Sequence, residues 1–129
     1  MKSIKILRSQ LNVLLFLSFQ ICYLEWPPHN SMFVFQAIFE IFSKTENLVD
    51  NFTHPIILLG LFTQLLLLIG ALNPKMNKKL NAIGILLLGL LVLLFLLISI
   101  LSLNLKMFLA TLPYLSITIY FFWNYKRLE

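Results

Sequence analysis

Charge is what this sequence has least of. Only 12% of its 129 residues are Asp, Glu, Lys or Arg, against about 25% in soluble domains. Acids are rarer still, five against ten basic residues. With 60% hydrophobic residues, so short a chain cannot hide its apolar surface from water in a core of its own. Hydrocarbon must be the solvent for its outward faces. Cysteine occurs once, as Cys22. That excludes an internal disulfide framework and exchange chemistry between two thiols of the chain. Cys22 reads as a small buried hydrophobe.

Motifs are missing too. There is no glycine-rich phosphate loop, no G-x-S-x-G and no H-E-x-x-H. No apolar run carries Asp, Glu, Lys, Arg or His in its interior, where proton carriers and voltage sensors place them. His29 and His54 fall outside the runs, so no pair of axial haem ligands is available. With Glu25 and Glu40 they follow no zinc-ligand spacing. The sequence offers no catalytic residue, no cofactor site and no metal site. The net charge of +5 could suggest nucleic acid, but that needs a basic face or stripe. Nine of the ten basic residues instead lie at the edges of apolar runs: Lys2, Lys5, Arg8; Lys75, Lys78, Lys79; Lys106, Lys126, Arg127. They read as topology signals, and nucleic acid is not an expected partner.

Four apolar runs are present, and they predict an all-α integral membrane four-helix bundle in one domain, 1–129. The spans fall at about 9–26, 55–72, 82–103 and 107–123. A crossing helix needs about 20 apolar residues, so the third is ample. The first and shortest can be extended by interfacial aromatics and snorkelling cations. The first also resembles a signal peptide, but Phe19 to Leu24 puts bulky residues where cleavage needs small ones. We expect it to be retained as an anchor. Positive segments at the N-terminus, at 73–81 and at 124–129 alternate with the acid-rich stretch 25–54, which places both termini in the cytoplasm. The compartment expected is a bacterial inner membrane.

Between the first two spans, Ser31–Phe42 reads SMFVFQAIFEIF. It is too short to cross. Gln36, Glu40 and Lys44 fall four apart among aromatics, which predicts a short interfacial helix over 31–43, capped by Asn30 or Ser31. A strand is the alternative. Pro27–Pro28 should stop the first helix. Asn51-Phe52-Thr53 matches a glycosylation sequon that a bacterial chain would leave bare.

Each span shows one smaller or more polar stripe at helical spacing: Asn12, Phe16, Gln20, Tyr23; Gly60, Thr63, Gln64, Gly70, Ala71; Asn81, Gly84, Ser99, Ser102; and Ala110, Thr111, Tyr114, Thr118. Small residues let helices approach and polar ones bond across, so the stripes should face inward or toward another subunit. Gln20, Gly60, Thr63, Gln64 and Tyr114 are the candidates for helix packing or for a pocket. Glu25, Trp26 and Glu40 are the candidates at the outer interface. Pro113 should kink the last span and free the carbonyl of Leu109, near Thr111. Tyr120 to Tyr125, followed by Lys126 and Arg127, reads as an aromatic belt with a basic stop.

The layout is similar to small bacterial four-helix membrane families such as the DoxX-like proteins, in its topology, its long first outer loop and the leucine-rich stretch 55–72. No residue role is carried over from that likeness. Two functions fit. One is a non-catalytic accessory or assembly subunit, with membrane lipids and other membrane subunits as partners. The other is a small transporter, or a membrane enzyme acting on a lipid or quinone.

Overall fold

The computed structural model describes residues 2–26, 29–43 and 55–128. They are mostly helical: α1 Lys2–Gln20, α2 Val34–Ser43, α3 Pro55–Leu72, α4 Lys78–Leu101 and α5 Leu105–Trp123. Two short strands, β1 Tyr23–Trp26 and β2 Asn30–Phe33, lie between α1 and α2. Among the described residues, three helices are long and apolar enough to cross a membrane: α3, α4 and α5.

The first span departs most from expectation. Its helix takes in the basic N-terminus and stops at Gln20, six residues before the expected end at 26. The chain then turns, with Cys22 N–H donating to Phe19 O at 3.1 Å. Tyr23, Leu24, Glu25 and Trp26 pair antiparallel with Phe33, Met32, Ser31 and Asn30. Aromatic residues favour a pleated, half-buried surface, and the hairpin satisfies backbone groups that an unpaired loop would leave open. α1 is about 28 Å long at 1.5 Å per residue, but Lys5 and Arg8 sit in its first two turns. It therefore falls short of an uninterrupted apolar crossing.

Residues 30–33, expected at the head of the interfacial helix, are strand, so α2 begins at Val34 rather than 31. Asn30 and Ser31, the expected caps, lie in β2. Gln36 folds back instead, and its Oε1 accepts from Phe33 N–H at 2.9 Å. Lys44 and the sequon lie outside the described residues.

The four long helices form a closed ring in the order α1, α3, α4, α5, with α5 returning to α1. Two tight turns build most of it. Asn77 caps α4 by accepting from Lys79 N–H at 2.8 Å, and Asn104 caps α5 by accepting from Met107 N–H at 3.1 Å. α4 ends in a Schellman turn: Asn104 N–H bonds Ser99 O and Leu103 N–H bonds Ile100 O. Leu103 takes the left-handed position, φ 54°, where glycine is the usual residue.

Leu11, Leu15, Phe19, Leu67, Ile85, Leu88, Val92, Tyr114 and Phe121 make the core. The expected stripes turn inward with one clear exception, the exposed Ser102. Gly84 lets Leu66 of α3 approach to where a Cβ would meet its side chain at 3.2 Å. The outward faces are leucine: Leu58, Leu65, Leu86, Leu90, Leu93 and Leu97 are all exposed. So continuous an apolar surface is a lipid-facing one. The expected aromatic belt divides. Trp123 and Tyr120 are exposed, but Phe121 is fully buried and Tyr125 lies beneath Lys78, 4.1 Å from ring centroid to Nζ.

Candidate functional site

Polar side chains of the interior find one another in three tiers. Nearest the turn between α3 and α4, Arg8 is only 6% exposed. Its Nη2 donates to Pro74 O at 2.6 Å and to Met76 O at 2.8 Å, and Ser9 Oγ donates to Ala71 O. One turn further along, Asn12 and Asn81 exchange amide hydrogen bonds at 2.9 and 2.6 Å, both fully buried. Gly70 makes room for the pair: a Cβ there would lie 3.0 Å from Asn12 Oδ1 and 3.2 Å from Asn81 Nδ2.

The middle tier holds the glutamines. Gln20 Nε2 donates to Gln64 Oε1 at 2.6 Å, and Gln64 Nε2 donates to Gly60 O at 3.1 Å. Thr63 turns its hydroxyl to its own helix, donating to Leu59 O at 2.8 Å. Tyr114, fully buried, crosses to α4 and donates to Ile85 O at 2.9 Å. Phe19 packs edge-on against its ring. Thr111 Oγ1 bonds Phe108 O at 2.7 Å, not the Leu109 carbonyl that Pro113 frees.

The third tier closes the hairpin end. Glu25 Oε2 accepts from Asn104 Nδ2 at 2.5 Å. The β-hairpin is thereby fastened to the residue that caps α5. Trp26 pairs with Asn30 through its backbone, and its side chain lies outside what the structure describes. Glu40 sits half-buried on α2, beside Phe35 and Phe39.

Gln20 and Gln64 are thus brought together where α1 meets α3, Gly60 joins them through its carbonyl and faces Leu91 of α4, Thr63 bonds within α3, and Tyr114 belongs to a separate contact between α4 and α5. Gly60 and Gln64 also face a cavity of about 260 Å³ in the half of the bundle nearest the hairpin. Leu24, Phe33, Ile38, Leu61 and Phe95 are among the residues that wall it. Among the described residues, Gln64 is the one in its wall with a polar side chain. Sequence reading offered Gly60 and Gln64 as pocket candidates but had no signal for the apolar wall, because three separate stretches, 19–41, 56–64 and 91–95, supply it. Nor did it see the burial of Arg8, which read as a topology charge.

Among the described residues, no three of His, Cys, Asp or Glu lie close enough to hold a metal ion. Glu25 is at the hairpin end, and Arg8, Lys75, Lys78, Lys79, Lys126 and Arg127 are at the opposite end. Compared with protein-family models, with curated proteins and with solved structures, the chain matches none.

Proposed function

We propose that the chain is a bacterial inner-membrane protein of four crossings, with both termini in the cytoplasm, and that it serves as a non-catalytic accessory or assembly subunit of a larger membrane complex. α1 is the fourth crossing, shielded by its neighbours in the ring rather than by its own apolarity. The basic end is the cytoplasmic one, by the bias of Lys and Arg toward that side. α2 lies flat at the outer interface.

The observation that carries the subunit reading is α2. Phe35, Phe39 and Phe42 are exposed, Phe39 at 73%, on a helix whose other face packs on the bundle. Exposed aromatics at the centre of a patch are what binding interfaces use. The reading of a transporter, or of an enzyme acting on a lipid or quinone, rests instead on the cavity at Gln64.

Two measurements test this. With Cys22→Ser as background, single cysteines at Lys5, Asn77 and Lys126 should be shielded from an impermeant thiol reagent added outside, and one at His29 should react. Outside labelling at Asn77 overturns the four-crossing topology. Extracted in mild detergent, the native chain should run well above its own mass, and Phe35→Ser with Phe39→Ser should return it to a monomer with unchanged helix content. A native chain that is monomeric in every mild detergent sinks the subunit reading and leaves the topology standing.

A further inference from the structure

The cavity beside Gln64 is a built space. Its wall residues come from the end of α1, the hairpin, α2, the first half of α3 and the second half of α4. Phe33 and Ile56 line it while remaining exposed, so it opens to the surface there. At about 260 Å³ it exceeds an engineered 150 Å³ cavity that takes benzene. It falls below the roughly 300–1,000 Å³ of sites for drug-sized ligands. A partner helix, about 10 Å across, does not fit. A single hydrocarbon chain does.

The chemistry of the wall selects further. Gln64 has its oxygen taken by Gln20 and its nitrogen bonded to Gly60 O. Gln64, the one polar side chain among the described wall residues, keeps a single N–H beyond its bond to Gly60 O, too few for the two carbonyl acceptors of a quinone ring, and an unpaired buried acceptor costs free energy. An acyl tail makes no such demand. We infer that the cavity between the hairpin, α2 and α3 is a binding site for one acyl chain of an outer-leaflet phospholipid, held as a bound ligand rather than as passing annular lipid. The site requires the membrane reading above but not the subunit reading, so either can fail alone.

The test uses the full chain in vesicles of phosphatidylethanolamine and phosphatidylglycerol doped with a phospholipid carrying a diazirine near the end of one acyl tail. After photolysis, adducts should concentrate on 56–64 and 91–95. Ala37→Phe, which fills the cavity from α2, and Gly60→Leu, which fills it from α3, should each cut that yield at least about tenfold. Leu86→Phe, on the exposed face of α4, should leave it unchanged. Circular dichroism shows which variants keep their helix content, and two routes of filling guard against loss of one. Adducts spread evenly over the exposed faces, or a yield unmoved by a folded filling variant, overturn the proposal. Displacement of the label by a short-chain quinone but not by excess phospholipid overturns it in favour of a ring ligand.

Discussion

Gly70→Leu should be the most damaging single change in the bundle, with little or no folded protein recovered. At Gly70, even a methyl group meets Asn12 Oδ1 at 3.0 Å and Asn81 Nδ2 at 3.2 Å. Those atoms cannot swing aside, because each is bonded to the other across α1 and α4. A leucine must therefore push α3 away or break the amide pair. Overpacking alone costs about 1–3 kcal/mol, and a buried amide left without its partner adds about 1–3 kcal/mol. The sum is large against total stabilities of about 5–15 kcal/mol. Gly60→Leu should be milder, since the nearest atom is the flexible end of Leu91 at 3.4 Å and the cavity adjoins. Gly89→Ala should be close to neutral, with Tyr114 Cε1 at 3.8 Å. Recovery of folded protein and denaturation in detergent rank the three. Equal losses at positions 60 and 70 would refute the packing seen around Asn12.

The amide pair itself gives the second large effect, and it is one of sign. Asn81→Leu preserves shape but leaves Asn12 Oδ1 without its donor, in a residue with no exposure to water. We expect a loss of about 2 kcal/mol. Asn12→Leu alone should cost a similar amount or more, because its Nδ2 also bonds Arg8 O at 2.8 Å. The double variant should recover most of the loss, because neither polar demand remains. A double variant no more stable than either single would show that the pair stabilises outright. Gln64→Leu is the useful contrast. Gln20 at its partner position is only half-buried, so the change should stay near the small values typical of membrane hydrogen bonds, about 0.6 kcal/mol on average.

What could be read from the sequence depended on how many residues spoke for one feature. Pro55–Leu72 was legible at both ends, because a proline can open a helix and an unbroken apolar run fills it. The long α4 was legible for the same reason, within a turn at its start. The end of α1 was not. Residues 21–26 form a short run, apolar but for Glu25, and such a run has the same appearance in helix and in strand. Only its pairing with 30–33, across the two prolines, decides. The inward stripes were legible as periodicity, but partners were not, since Asn12 and Asn81 lie 69 residues apart. Arg8 was hidden by its type: a basic residue beside a membrane span serves equally as a topology charge or as a clamp on loop carbonyls. Glu25 stood out as a single acid near a span end, yet nothing in the sequence pointed to Asn104.

The closed ring also dictates an order of events at synthesis. α1 leaves the ribosome first, carrying Arg8 and Asn12, and the groups they bond lie in the α3–α4 turn and in α4. Until those segments arrive, α1 has a buried cation and an amide with nothing to answer them. It is the one long helix too polar to cross on its own account. The last helix then closes against α1, where Ile4 and Leu7 line one cleft with Arg127 and Leu128. On the proposed four-crossing topology, insertion of the first segment is therefore settled late, by the third crossing rather than by the first. A chain cut after α3 should leave its N-terminal segment exposed to proteases, although every residue of that segment has already been made.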